Sequence, residues 1–461
     1  MTSTISTPPA PPARLARLGL PTPAVIAAST PADRDRVIDV IRIVALLAVV
    51  AGHTVMATSI IRKQVLMWDN LLTISVVFQA LTWVVQIMPL FFFAGAAACV
   101  QSWRPHSSWG AWLMKRCTRL FRPVFYYLGL WAIALTALHL LLPRHVYDPI
   151  AGVSIQLLWF LGAYVLVLAV MPLLARITTL TRLAVGVGAV YTGIATVDAV
   201  RLHVPGTPPL GCLNMAAWLI PGMFGVAYTR RLLTTPAAVG TALAVLTVNA
   251  ALLALGPYSL SLVGIPGQRI GNMTPPSLLL AGHAIIMCAL AIAAAPAIRR
   301  CAARPRVWWL AAIGNSGAMT LYLWHMPALL GLHLVFDYLG YPRYPGQPQF
   351  VVISAAQVLI MVAVVGVLFL TLRPLENNPL PGWDGAVSIT PGRRSAVVGA
   401  LLVIAAAAIL AAVRWGLKHD GLYCVAAMVG ALVAARLVAL HGRATITKHF
   451  ARKHDSEEEK I

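Results

Sequence analysis

The chain has 461 residues, 59% of them hydrophobic and only 11% charged, with a mean hydropathy of +0.80. Those figures exclude a water-soluble globule and describe a polytopic membrane protein. A net charge of +21 would suit a nucleic-acid binder, but the basic residues alternate between rich and poor loops. That is the signature of membrane topology, and nucleic acid is not expected as a partner.

Residues 1–32, rich in Pro, Ala, Ser and Thr, read as a disordered N-terminal tail. No cleavable signal peptide is expected, because the first apolar run begins late and has the length of an anchor. Crossing a hydrocarbon core of about 30 Å takes roughly 20 apolar helical residues. Twelve such runs follow in order: 38–60, 71–100, 120–142, 154–174, 183–199, 213–229, 237–256, 277–297, 307–333, 350–372, 396–413 and 421–440. They are continuous rather than alternating, so the expected fold class is all-α, a polytopic membrane helix bundle and not a β-barrel.

Ten runs fall in one membrane domain, 33–375. A linker over 376–394 contains Pro379, Pro381 and Pro391, a two-helix membrane appendage covers 395–441, and a charged tail covers 442–461. Clusters such as Arg230/Arg231 and Arg299/Arg300/Arg304/Arg306 alternate with loops carrying the single charges Arg144, Arg201, Arg269 and Arg343. The positive-inside rule then places both termini in the cytoplasm of a multi-pass plasma-membrane protein surrounded by membrane lipid. The six cysteines show neither disulfide nor metal-ligand spacing, and no metal is expected.

Within the first run, Arg42 and His53 are eleven residues apart. Eleven helical steps turn about 1100° and rise about 16 Å, so the two side chains share one face. Ionisable groups inside a membrane cost roughly 2.5–3.5 kcal/mol each and mark function unless a partner explains them. Asp39, one turn before Arg42, is such a partner; His53 has none in view, although a satisfied core histidine is the plain alternative. Projection along the runs places His325, His283 and Trp159 at a similar depth to His53, whereas Arg116, Arg119 and Arg122 gather with Arg42 at the inner end. Taken alone, the arginines read first as topological anchors.

A cationic mouth and a remote imidazole suit a long donor whose phosphates lie far from its reactive end. Coenzyme A has that form. The histidine, with an ordinary pKa of about 6.5, would take the proton of an acceptor hydroxyl. Trp159, Tyr322 and Trp324 are candidates to line the path between the zones, though aromatic residues in membrane helices more often pack or anchor.

Several segments together resemble the acyltransferase 3 family. Asp39-Val-Ile-Arg42 followed by ten residues and His53 is similar to its basic-x10-His signature. Met88-Pro-Leu-Phe-Phe-Phe-Ala-Gly95 resembles its Phe-Phe-x-x-Ser-Gly segment without the serine and one residue shorter. Arg116-Cys-Thr-Arg119-Leu-Phe-Arg122-Pro123 is similar to its Arg-x-x-Arg element, and Leu158-Trp-Phe-Leu161 is a further match. Gly314-Asn-Ser-Gly-Ala-Met-Thr-Leu-Tyr-Leu-Trp-His325 resembles Ser-Tyr-x-Leu-Tyr-Leu-x-His with the Ser-Tyr pair lost. The segment 256–276 is similar to one in actinobacterial members.

The resemblance implies a ten-helix core, here extended by two C-terminal transmembrane helices. It would move an acyl group, commonly acetyl, from cytoplasmic acyl-CoA to a hydroxyl of a sugar or other carbohydrate, glycolipid, envelope glycan or macrolide. It gives His53 as catalytic, His325 as its companion motif, and Arg42, Arg116, Arg119 and Arg122 as donor-binding or fold-maintaining residues. A glycan or lipid transporter or flippase and a noncatalytic membrane scaffold stay open as alternatives, although intramembrane carboxylates for ion coupling are sparse.

Overall fold

The computed structural model describes residues 20–458 apart from 64, 105, 266, 267, 269 and 388, with side chains as far as residue 440. Residues 1–19, Arg269 and the charged side chains of the C-terminal tail, on which several of the expectations above fell, lie outside that description. Helices dominate, and twelve of them or of their end-to-end pairs are long and apolar enough to cross a membrane. The protein is an all-α multi-pass membrane bundle.

The N-terminal expectation needs a correction. Pro23–Ser29 (α1) is a helix capped by the Thr22 hydroxyl, because two indoles hold this stretch: Trp309 Nε1 donates to the Pro21 carbonyl (2.7 Å) and Trp308 Nε1 to the Thr30 hydroxyl (2.9 Å). Arg36–Met56 (α2) follows, its first turn capped by the Asp35 carboxylate accepting from the Val37 N–H at 3.0 Å. The first apolar run does not stay helical to residue 60. Arg343 donates to the carbonyls of Val55, at 2.8 Å, and Ala57, satisfying groups that a helix end leaves bare. The β-branched run from Thr58 then extends as strand Ala57–Arg62 (β1), antiparallel to Val65–Asn70 (β2). Ser59 pins this hairpin to the bundle, donating to Asp337 at 2.7 Å and lying 2.8 Å from His333 Nδ1.

Val76–Val85 (α3) and Met88–Val100 (α4) make one span, broken at Gln86–Ile87 ahead of Pro89. The long Trp109–Leu141 (α5) is followed by Arg144–Val153 (α6) and Leu158–Ala169 (α7), again a broken span. Leu180–His203 (α8), Leu219–Thr229 (α9), Thr235–Leu255 (α10) and Leu278–Ala302 (α11) come next, with a 3-10 stretch at Pro208–Trp218 entering α9. Pro305–Ser316 (α12) breaks at Gly317 before Ala318–Tyr338 (α13), and Phe350–Asn377 (α14) closes the part expected as the core. The α2 helix is the central strut, contacted by α4, α11, α13 and α14. By contrast α8, α10 and α14 are the least buried spans and present apolar side chains outward, as lipid contact requires.

At the end of the bundle opposite Arg42, the 256–276 segment folds down onto α3: Trp83 Nε1 donates to the Leu260 carbonyl and the Leu262 N–H to Thr82, both at 2.9 Å. Buried Asp198 gathers the Leu278 N–H, Asn214, Tyr258 and Arg201. Its charge is thus spent on closing this end.

Arg393–Trp415 (α15) and Asp420–Glu458 (α16) do not hang off the core. They pack on each other, and α15 lies along α5 and α7. Missing side chains permit that approach: a Cβ on Gly162 would meet the Ala406 carbonyl, and one on Gly110 the Ser395 backbone. The expected linker is likewise packed, with Trp383 buried and its indole donating to the Thr118 carbonyl at 2.8 Å.

Candidate active site

His53, near the end of α2, and His325, two turns into α13, meet through a hydrogen bond of 2.9 Å between His53 Nδ1 and His325 Nε2. The rings are nearly parallel, 8° apart, with centroids 5.2 Å apart; together with the short N···N distance this is an in-plane contact, not face stacking. Tautomers follow from the far end of the chain. His325 Nδ1 lies 3.0 Å from the Leu321 carbonyl, which can only accept, so Nδ1 carries the proton and Nε2 is the bare acceptor. His53 must then donate from Nδ1, which leaves its Nε2 with a free lone pair. In this neutral arrangement His53 keeps one nitrogen with no hydrogen-bond partner among the described residues.

Three contacts set the rotation of α13. The Tyr322 hydroxyl donates to the Leu157 carbonyl, where the α6–α7 span is broken. Trp324 packs edge-on against Tyr127 at 5.5 Å. At the helix start, where Gly317 offers no side-chain cap, the Glu376 carboxylate accepts from the N–H groups of Met319 (3.3 Å) and Thr320 (2.9 Å) and from the Thr320 hydroxyl (2.9 Å). A carboxylate there also complements the helix dipole.

Arg42 lies on the same unbroken helix as His53, about 16 Å away along its axis. Its expected partner Asp39 is taken mainly by Arg34, which binds it with two bonds of 2.6 and 2.8 Å, whereas Arg42 sits at 4.0 Å. The hydrogen bond to Asp39 raises the Arg34 pKa above its ordinary value. Arg42 also interacts electrostatically with Tyr164, beside Arg116 and Cys99, and with Glu376. From Tyr164 an aromatic column runs through Phe160 (5.6 Å) to Tyr322 (5.4 Å) and His325 (6.3 Å). It joins the two zones that the sequence separated.

Gly95 makes that column possible, since a Cβ there would run into the Tyr164 ring, itself held by Phe92 and Phe160. Gly95→Ala is therefore expected to displace Tyr164 and to cost about 1–3 kcal/mol by overpacking. A lowered thermal midpoint in detergent is the measurement; an unchanged midpoint would refute the tight fit.

The other arginines divide. Arg116 folds back over the Trp112 ring (3.6 Å to its centroid) and donates to the Trp112 carbonyl, Cys99 and Ser102. Arg119 is exposed and makes no hydrogen bond or ion pair among the described residues. Arg122 is paired with Asp384. A cavity of about 730 Å³ opens beside the start of α2, lined by Arg34, Asp35, Arg36, Tyr228, Arg231 and Arg299 among others. That size suits a small-molecule site, and the Arg34–Asp39–Arg42 chain leads from it toward Arg42.

Two expected site residues stand elsewhere. Trp159 packs on Trp218 at 5.4 Å, and its neighbour Phe160 is the residue that touches Tyr322. His283 donates from Nε2 to the Gln86 carbonyl at 3.0 Å and meets Trp83 edge-on; it holds the α3–α4 break and makes no contact with the imidazole pair. Sequence reasoning missed Phe160, Tyr164, Glu376 and Asp384. The signal for Phe160 was its place in Leu158–Leu161, and for Glu376 its rarity as an acid at the end of an apolar run.

A family model described as an acyltransferase domain matches residues 35–372, most of the chain. The chain belongs to the acyltransferase 3 family. This acyltransferase shows no significant match among curated proteins or solved structures. The family assignment places the arginine end and the imidazole pair in a membrane-embedded acyltransferase, and two of the motifs that carried the resemblance meet in the bond between His53 and His325.

Within it, His325 is expected to act by fixing the tautomer of His53. Groups that orient a reactive imidazole typically cost 10- to 100-fold when removed, so His325→Phe should lower turnover by about that factor. The check is acyl transfer by protein that elutes as a single species in detergent. Turnover within about threefold of the parent would reject the role.

Proposed function

We propose that this acyltransferase moves an acyl group, with acetyl as the favoured case, from acyl-CoA to an acceptor hydroxyl on a sugar, glycolipid, envelope glycan or macrolide. The observation that carries the reading is the hydrogen-bond chain from the Leu321 carbonyl through His325 to His53 Nδ1, from which a bare Nε2 on His53 follows. Acceptor O–H gives its proton to that nitrogen as the oxygen attacks the thioester carbonyl. The C–S bond then breaks, and the leaving thiolate recovers the proton from Nε2, so the histidine ends neutral. His325 Nε2, accepting from Nδ1–H throughout, stabilises the imidazolium between the two steps. Transfer is direct, with no acyl-enzyme.

Donor phosphates would sit at the arginine end, in the cavity flanked by Arg34, Arg36, Arg231 and Arg299, with Arg42 and Arg119 proposed as further contacts. The pantetheine arm would follow the column Tyr164–Phe160–Tyr322 to the imidazoles. In this orientation the arginine end and both termini face the cytoplasm of the plasma membrane, as the basic loops require. The test is radiolabelled acetyl-CoA offered to protein in nanodiscs with an envelope extract from a deletion strain. Label in alkali-labile esters of lipid or glycan, with matching release of CoA, is the expected result. No transfer from acyl-CoA to any of these fractions or to a macrolide would overturn it.

A further inference from the structure

The family match ends at residue 372, but the residues just beyond it are bonded to both sides of the site. Arg122 donates from Nη1 to the Glu376 carbonyl at 2.9 Å, from Nε to Asp384 Oδ2 at 2.8 Å and from Nη2 to Asp384 Oδ1. Asp384 also accepts from the Leu380 N–H at 2.6 Å. The loop is fastened from above and below: Trp383 to the Thr118 carbonyl on α5, and Arg436 of α16 to the Gly385 carbonyl at 2.6 Å. Residue 376 is the junction, since its carbonyl faces Arg122 while its carboxylate caps the helix carrying His325.

The side chains of Arg122 and Asp384 are only 12% and 9% exposed. A guanidinium with three of its donor directions filled by an internal carboxylate and carbonyl has little left for a phosphate, and removing one member of a withdrawn pair strands the other's charge. Arg119, one turn earlier and exposed, is in the opposite situation. The arginine element thus splits by environment.

We infer that Arg122 and Asp384 form a positioning clamp through which the C-terminal helix pair holds the arginine-bearing α5 against the helix of His325. The hairpin beyond the family domain is then part of the working enzyme. Neither clamp residue touches donor or acceptor; they act through Glu376 on the start of α13. The inference rests on the acyl-CoA reading for its activity assay, and a second readout is free of that reading.

Four full-length proteins decide it: the parent, Asp384→Asn, the reversed pair Arg122→Asp/Asp384→Arg, and the neutral pair Arg122→Gln/Asp384→Asn. Hydrogen exchange at the Met319 and Thr320 amides reports the clamp without turnover; CoA affinity by titration calorimetry and acetyl transfer to envelope extract report the site. Asp384→Asn should speed exchange at α13's first turn and lower transfer by about a hundredfold, the scale expected for a small misplacement. The reversed pair, or the neutral pair if the reversed one elutes as aggregate, should slow exchange again and restore transfer, with CoA affinity within about threefold of the parent. Unchanged exchange and transfer in Asp384→Asn would overturn the clamp. So would weak CoA binding in both re-paired proteins, which is the result if Arg122 holds phosphate directly. A parent that transfers nothing while exchange behaves as expected fails the acyl-CoA reading and leaves the clamp standing.

Discussion

His53→Ala is expected to lower acyl transfer by about 10²–10⁴-fold, the usual loss for a general base, while CoA affinity and the elution profile in detergent stay those of the parent. The size follows from the hydrogen-bond chain. With Leu321 fixing His325 and His325 fixing His53, no second nitrogen is left bare at this place to take over the proton. His53→Gln tests the same point more finely, because an amide can still hydrogen-bond to His325 but cannot accept a proton at neutral pH. Both variants should fall together. Turnover within about threefold of the parent in both would return His53 to the role of a satisfied core histidine.

Arg42→Ala should weaken CoA binding by about ten- to hundredfold, corresponding to the roughly 1.5–3 kcal/mol of a charge-assisted contact. Arg42 is available for this because Asp39 is already held by two bonds from Arg34, which leaves Arg42 only a looser 4.0 Å approach to that carboxylate. Its interaction with Tyr164 introduces a competing explanation, loss of the aromatic column. S-Acetylpantetheine, which lacks phosphates, separates the two: Arg42→Ala should use it as well as the parent does. Equal losses with both donors would mean that Arg42 acts through Tyr164 and not on phosphate. Arg119→Ala, at an exposed position without a hydrogen bond or ion pair among the described residues, should show the same donor-selective pattern.

Much was legible in the sequence because the constraints concerned are local. A span must be apolar over its own length, and a lipid-embedded backbone must bond within itself, so hydropathy alone gave twelve helical crossings. Arg42 and His53 were placed on one face by helix arithmetic, and α2 runs unbroken between them. The spacing of Leu321, Tyr322 and His325 was equally local.

What the tertiary structure decided are the facts that join distant residues. The bond between His53 and His325 links positions 272 residues apart, and with it the choice of proton-bearing nitrogen, which no linear pattern carries. Phe160 replaced Trp159 in the column because adjacent helical residues point about 100° apart, and the sequence of an all-apolar helix does not say which direction faces the neighbour. The strand after Met56 depends on Arg343 capturing the carbonyls of Val55 and Ala57. Glu376 and Asp384 looked like parts of a linker; only folding brings one to the amides of α13 and the other to Arg122. Hydrophobicity selects the spans one at a time, but buried polar groups must find partners wherever the chain can supply them, and that pairing is settled in three dimensions.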